Sequence, residues 1–389
     1  MIATQLATDS IAITRTFDGI EEAAHRIIER LGGMASVMRG ARFALLKPNF
    51  VAGRSAETGS TTSFALLKAV AEEVRACGAE PVLCETPGTE FDREATYTIL
   101  GVEKFCAENG IRIVRVDPEG GDQDWVELRP PGAKQLRRFH VPRFLQEACL
   151  INLPVLKTHV VSTMTLGMKN PMGILPRPDR RAMHTFGIDQ CIVDMNRGIK
   201  PDLTIVDGSV GQDGEGPLYG DKADLQVLVA GRNSLAVDLV CCRLVGVKPH
   251  DIPHLRLALE QLGQPSWTLV GEDVGMIKQF RLPKQKALYR FIFWLMYPLD
   301  YPYNWIAERG KHFCTTLYGT GLVGTRPQIN EVSCTRCGVC VETCPLPNVI
   351  DLKTLKVNYK TCQRCLLCYE ACPENAISVK GYSGTRRPS

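Results

Sequence analysis

From about residue 41 to 280, short apolar runs rich in β-branched residues alternate with stretches whose apolar positions recur every three to four residues. Phe43-Ala-Leu-Leu-Lys47 predicts a strand. Residues 62–77 carry helical spacing, and Gly78 stands where a helix C-cap belongs. A strand over 81–84 follows, then a helical stretch over 92–109 with a break near Gly101, then a strand over 111–116. Further strands are predicted over 148–153, 203–206, 225–229 and 267–270, with a helix over 234–244 between two of them. Strand–helix alternation of this kind predicts an α/β domain, a mainly parallel sheet with helices on both faces.

The pattern changes after residue 280. Arg281-Leu-Pro-Lys-Gln-Lys leads into an aromatic stretch with Phe291, Phe293, Trp294, Tyr297, Tyr301, Tyr303 and Trp305, broken by Pro298 and Pro302. Aromatic rings beside lysines suit a membrane surface. A short, proline-broken stretch suits packing between two domains better. A true internal repeat follows: residues 334–350 recur as 362–377, every cysteine displaced by 28 positions. The expected division is an α/β domain over 1–280, a connector over 281–328, a small α+β cluster domain over 329–380 and a loose tail over 381–389.

Charged residues make up 23% of the chain and the formal net charge is +4, with no Lys/Arg-rich run, so a nucleic-acid or anionic-membrane partner is not expected. Residues 1–19 lack the features of an export signal. The longest apolar run, 291–297, falls far short of the roughly 20 residues that span a bilayer. The expectation is a soluble, cytoplasmic protein without a transmembrane segment. In that setting its 16 cysteines point to metal ligands or reduced thiols. Eight lie between Cys334 and Cys372. The other eight (Cys77, Cys84, Cys106, Cys149, Cys191, Cys241, Cys242, Cys314) are scattered, and buried inert thiols are expected there.

The first C-terminal run reads Cys334-x2-Cys337-x2-Cys340-x3-Cys344-Pro345, the second Cys362-x2-Cys365-x2-Cys368-x3-Cys372-Pro373. A cubane needs four thiolates from different directions. Three close cysteines wrap one cluster, while the fourth points toward the other. The expected ligation is therefore crossed: Cys334, Cys337, Cys340 and Cys372 on one 4Fe–4S cluster, and Cys362, Cys365, Cys368 and Cys344 on the second. Zinc is the competing reading of paired Cys-x2-Cys motifs, but it needs only two such pairs with a long spacer. Residues 330–380 closely resemble the bacterial two-cluster ferredoxins, which implies two helices over short strand pairs with the clusters near enough for electron hopping.

A GxGxxG match at Gly319-Thr-Gly321-Leu-Val-Gly324 is rejected, because Pro327 follows and no βαβ unit surrounds it. No Walker loop is present: Gly214-Glu-Gly216-Pro217 lacks the Gly-Lys-Ser/Thr ending. More informative are the polar residues at strand ends, where open α/β sheets bind ligands. One strand runs into Lys47-Pro-Asn49, another into Lys157-Thr158-His159, and a third ends at Asp207-Gly208. Gly167-Met-Lys169-Asn170-Pro-Met-Gly173 and His184 should join them, and Thr61 and Thr62 open a helix that they could cap or that could bind an anion. Singly, Lys157 reads as a surface charge, His159 as a satisfied core histidine, Asn170 as a turn residue. As a set at strand ends they suggest a site.

These motifs, with Asp207-Gly208-x-x-Gly211-x-x-Gly214-x-Gly216-Pro217 and Ala236-Val-Asp238, resemble the domain-of-unknown-function 362 family over about residues 40–250. Many of its members carry a two-cluster ferredoxin after this domain. The resemblance implies an iron–sulfur protein of redox character and supplies no catalytic assignments.

The reading that follows is a ferredoxin-dependent reductase. An external low-potential donor of ferredoxin or flavodoxin type feeds electrons to the clusters, and a small anionic substrate accepts them in the α/β domain. Lys47, Lys157 and Lys169 would bind the anion, Asn49, Asn170, Thr61, Thr62 and Asp207 would shape the pocket, and His159 or His184 would supply the proton, with Lys157 taking part in the chemistry. The alternatives are an electron-transfer subunit that docks a partner oxidoreductase, or a cluster or metal maturation factor. A homodimer that lends its ferredoxin domain is compatible with each.

Overall fold

The computed structural model describes residues 10–88, 91–116, 124–284, 295 and 326–380. The aromatic stretch, the rejected glycine pattern at 319–324, Cys314 and the tail lie outside the described residues, apart from Leu295.

In chain order the strands are β1 (Ser10–Arg15), β2 (Phe43–Lys47), β3 (Glu80–Leu83), β4 (Arg112–Ile113), β5 (Trp125–Leu128), β6 (Phe139–Pro142), β7 (Ala148–Asn152), β8 (Val155–His159), β9 (Thr163–Thr165), β10 (Leu203–Asp213), β11 (Asp221–Gly231) and β12 (Thr268–Gly271). The helices among them are α1 (Ile20–Arg30), α2 (Met34–Met38), α3 (Phe64–Ala76), α4 (Arg93–Leu100), α5 (Val102–Glu108), α6 (Arg177–Phe186), α7 (Ile188–Gly198), α8 (Ser234–Leu244) and α9 (Pro253–Leu262). Strands β12-β1-β11-β10-β7-β2-β3-β4 form one sheet in that order, with β8 and β9 continuing beside β10. Most neighbours run parallel, as expected.

The central strands β1, β2, β7 and β10 bury both faces, and the two-residue alternation divides the core. Ile11, Ile13, Leu45, Leu150, Val206 and Val229 pack under α6–α9. Ala12, Ala44, Leu46, Ile151, Ile205 and Ala230 pack under α1, α2, α3 and α5. The result is a three-layer α/β/α domain. Helix starts follow local chemistry: Asp92 caps α4 through the Ala95 N–H, Gly101 in left-handed conformation ends α4, and Asn233 accepts from Leu235 and Ala236 at the start of α8.

Three features differ from the sequence expectation. Strand β1, which precedes the region read as alternating from about residue 41, sits inside the sheet between β11 and β12. The predicted strand at 225–229 is part of an antiparallel hairpin with β10, because a connection from Asp213 to Asp221 is too short for a parallel crossover. β7 and β8 form one bent path broken at Pro154, and that bend carries Lys157 and His159 past the end of β7 along β10.

The C-terminal region holds β13 (Arg326–Ile329), α10 (Val339–Glu342), β14 (Ile350–Asp351), β15 (Lys356–Val357), α11 (Leu367–Glu370) and β16 (Ile377–Lys380). β13 pairs with β16 and β14 with β15, both antiparallel. The 28-residue repeat is visible in the backbone as well. Arg336 and Arg364 share a positive φ (56° and 54°), as do Gly338 and Leu366 (87° and 64°), the residues that open α10 and α11.

Candidate functional site

Six polar residues from four segments meet in one buried network at the ends of β2, β3, β7 and β8. Lys157 is 0% exposed, and its Nζ donates to Asn49 Oδ1 (2.6 Å) and to the Ser60 carbonyl. Asn49 Nδ2 donates to Asn170 Oδ1 (2.8 Å), and Asn170 Nδ2 donates to the Lys47 carbonyl (3.0 Å) and to Asn152 Oδ1 (2.9 Å). Lys47, also 0% exposed, forms an ion pair with Glu85 and donates to the Pro48 carbonyl (2.6 Å). The reading of Lys157 as a surface charge is therefore corrected. Lys47 lies under the 167–173 loop, against Asn170 and Gly173, and Lys157 under the segment of Asn49 and Ser60.

That loop is held from two sides. The Asp238 carboxylate accepts from the Gly167 N–H (2.6 Å) and the Met168 N–H (2.9 Å). Burial raises the Asp238 carboxyl to about 7, and those two N–H donors oppose the rise. At its far end Gly173 lies so close to the ion pair that a Cβ would sit 2.5 Å from Glu85 Oε2 and 2.9 Å from Lys47 Nζ. Gly173→Ala is expected to destabilise the fold by about 1–3 kcal/mol through overpacking, read as a lower urea midpoint with unchanged slope.

Burial pushes the Lys157 amine well below its usual range, and the positive charges of Lys169 and Lys47 add to the fall. Lys47 is lowered by burial too, with Glu85 working against the shift.

A second, half-buried group borders the first: His159 at the end of β8, Lys169, and His184 in α6. His159 Nδ1 accepts from the Val161 N–H (3.1 Å) and the Ser162 N–H (3.4 Å), so its neutral ring carries the proton on Nε2. Burial holds His159 well below the ordinary imidazole value, and Lys169, His184, Lys157 and His254 push the same way. Burial, Lys169 and Arg180 bring His184 down to about 3. The charge of Lys169 pushes down all three of Lys157, His159 and His184.

Thr61 and Asp207 fall outside this network, and Thr62 borders it at Asn49. Thr61 bridges to Phe50, and the Thr62 hydroxyl accepts from the Asn49 N–H (2.8 Å) and donates to the Leu153 carbonyl (2.7 Å). The cap of α3 is Ser63, not either threonine. Asp207 Oδ2 accepts the Ser63 N–H (2.8 Å), so a carboxylate of the protein already occupies the helix start where an anion was expected. Sequence reading missed Glu85, one residue past the predicted strand over 81–84, and Arg180, buried with Nη1 on the Pro87 carbonyl (2.6 Å). An acid directly after a predicted strand was a readable signal for Glu85.

The eight C-terminal cysteines ring two recesses. Cys344, Cys362, Cys365 and Cys368 line one of about 390 Å³, and Cys334, Cys337, Cys340 and Cys372 line one of about 330 Å³. The fourth cysteine of each run faces the recess of the other. Among the described residues no three His, Cys, Asp or Glu gather tightly enough to hold a lone metal ion. Burial, and then its neighbours Cys362 and Cys344, push the Cys365 thiol up to about 11 against the Leu367 N–H, which draws it down. The left-handed residues turn amides toward sulfur: the Ala376 N–H lies 3.3 Å from Cys372 Sγ, and the Arg364 N–H favours the Cys362 thiolate. Crowded thiols with inward amides fit a cationic iron–sulfur core. Of the scattered cysteines, Cys77 is exposed, against expectation, and the other six described are buried.

The pattern of a 4Fe-4S dicluster domain matches residues 326–373. Together with the cysteine rings it supports binding of 4Fe–4S clusters and a part in electron transfer. Among the described residues no helix is long and apolar enough to cross a membrane. A thylakoid-associated protein of Synechocystis, sll1697, is 30% identical over 250 residues, which cover 61% of this chain and 73% of that protein. No solved structure matches the chain significantly. The pattern described as Domain of unknown function (DUF362) matches residues 44–243, more than half of the chain, and the chain belongs to that family.

Proposed function

We propose that this chain is an iron–sulfur reductase that passes electrons from an external low-potential donor, of ferredoxin or flavodoxin type, to a small anionic substrate in the α/β domain. The supporting observation is the group around Lys169: its charge reaches Lys157, His159 and His184, and Arg180 adds to it at His184. In this reading the domains are 1–280, 281–328 and 329–380 with a tail over 381–389, and the thiols work reduced, in a cytoplasmic setting. Cys334, Cys337, Cys340 and Cys372 would hold one 4Fe–4S cluster, and Cys362, Cys365, Cys368 and Cys344 a second. Bound there, the clusters supply one-electron transfer at low potential.

The rest is the work of side chains. Lys169 is placed to attract an anionic group, and the neutral His159 presents Nε2–H as a donor to it. Lys157 and the two asparagines hold this frame rigid from behind. A two-electron reduction consumes two electrons, delivered singly by the donor, and two protons. Neither histidine is protonated in the free protein, so neither is ready as an acid. An arriving anion offsets the neighbouring cations and raises His184, which then takes a proton from water and holds it for the substrate.

Anion binding should therefore draw in protons. The affinity should weaken as pH rises from the free His184 value of about 3 to its higher value with anion bound, and level off above that. Calorimetric titration of small carboxylates and inorganic phosphate at pH 6 to 8, in buffers of different ionisation enthalpy, reads the uptake directly. Binding of all such anions without proton uptake would remove His184 as proton carrier. Absence of any binding, with no anion speeding reoxidation of the pre-reduced protein, would overturn the reductase.

One observation favours a second reading, an electron-transfer subunit whose α/β domain docks a partner oxidoreductase: Lys47, Lys157, Asn49 and Asn170 already direct hydrogen bonds to one another or to nearby protein groups. The same titrations separate the two, since a docking surface has no use for a small anion.

A further inference from the structure

The two cysteine rings have different surroundings. The recess of Cys334, Cys337, Cys340 and Cys372 is lined only by residues between 329 and 377. That of Cys344, Cys362, Cys365 and Cys368 also takes Ile99 of α4 in its wall. Beside it Arg54, 8% exposed, donates Nη1 to the Cys365 carbonyl (2.9 Å) and Nη2 to Glu370 Oε1 (3.0 Å). The Asp92 N–H donates to Gln363 Oε1 (3.0 Å), a third tie to the same loop. On the opposite ring Cys337 is exposed, and nearby Val332 is 96% exposed.

The anchoring segment is continuous with the candidate site. Arg54 lies five residues after Asn49, whose Oδ1 accepts from Lys157. A path thus runs from the Cys365 carbonyl across one hydrogen bond into Arg54, and along the backbone to Asn49.

We infer that electrons leave for the α/β domain from the ring of Cys344, Cys362, Cys365 and Cys368, that they arrive from the donor at the ring of Cys334, Cys337, Cys340 and Cys372, and that Arg54 is the positioning residue that holds the exit ring in place. This rests on the two-cluster reductase reading. Each electron lost by the reduced donor is gained first at the outer ring, then at the inner one, and finally by the anionic acceptor, with no bond made or broken between protein groups. A guanidinium on the Cys365 carbonyl stabilises added negative charge at the inner ring, and Arg54 does not line the outer recess, whose arginine is its own Arg336.

The test is a reductive titration of the anaerobically purified full chain, followed by electron paramagnetic resonance. Cys365→Ala and Cys337→Ala identify which signal belongs to which ring. Arg54→Gln should make the inner ring harder to reduce by about tenfold in its equilibrium constant, about 59 mV for one electron, and leave the outer ring unmoved. Arg54→Lys should recover part of the shift. Glu370→Gln, which removes a negative charge from the same loop, should shift the inner ring alone in the opposite direction, and it serves if Arg54→Gln fails to fold. Equal shifts in both signals, or a shift in the outer one alone, overturn the inference. A wild-type chain without two separable signals and about eight iron overturns the two-cluster reading beneath it instead.

Discussion

Cys372→Ala should lose the same resonance signal as Cys334→Ala, and Cys344→Ala the same as Cys362→Ala. Each variant should retain about four of eight iron and of eight acid-labile sulfides. By sequence proximity, Cys372 would serve the cluster of Cys362, Cys365 and Cys368. By geometry it stands in the wall of the other recess, with Cys334, Cys337 and Cys340. The short helix α11 explains the crossing. It begins one residue after left-handed Leu366, carries Cys368 into its own recess, and by Ala371 has turned the chain away. Cys372 then leaves in the opposite direction, where the Ala376 N–H meets its sulfur at 3.3 Å. In the first run, α10 does the same for Cys340 and Cys344 after Gly338. Iron and sulfide assays on anaerobically prepared protein, with low-temperature spectra of the four variants, check this. A Cys372→Ala spectrum matching that of Cys362→Ala would mean each run binds its own cluster.

The cluster region was legible because its information is local. Eight cysteines at fixed spacing and a 28-residue repeat need no tertiary context. The strand at Phe43–Lys47, the helix at Ser234–Leu244 and the break at Gly101 were readable for the same reason, since period and cap lie within one segment. What could not be read depends on distant pairs. Lys47 is covered by the 167–173 loop, which Asp238 holds from 71 positions beyond Gly167, and Lys157 by the segment of Asn49 and Ser60, 108 and 97 positions away. A lysine closing a strand looks the same whether a loop covers it or water does. Arg54 and the Cys365 carbonyl are 311 positions apart, and nothing near Arg54 marks it as a ferredoxin contact. The antiparallel β10–β11 hairpin was a different failure. Its strands have the apolar content of parallel ones because both faces are covered, and only the shortness of the connection reveals the direction.

Lys157 joins stability to the proposed chemistry, and the two can be separated. Lys157→Ala should be markedly destabilised. It would leave Asn49 Oδ1 and the Ser60 carbonyl without their donor, at about 1–3 kcal/mol for each buried acceptor, and would open a cavity as well. Loss of function in that variant would say little. Lys157→Met keeps the volume and removes the amine, and it should fold with both cluster signals intact at a cost of about 2–4 kcal/mol. Its pH dependence provides a check on the folded state. In the wild type the folded amine lies well below its ordinary value of 10.5, so the unfolded chain binds the extra proton between those two values. Wild-type stability should therefore rise with pH across that window and stop rising near 10.5, and Lys157→Met should lose this slope. If the cationic group is the active site, reoxidation of the pre-reduced protein by its anionic acceptor should fall at least about a hundredfold in Lys157→Met, since Asn49 loses the partner that orients it toward Asn170. A Lys157→Met protein that folds, holds its clusters and reoxidises at the wild-type rate would leave Lys157 a purely structural residue, and the α/β domain would then be better read as a docking platform.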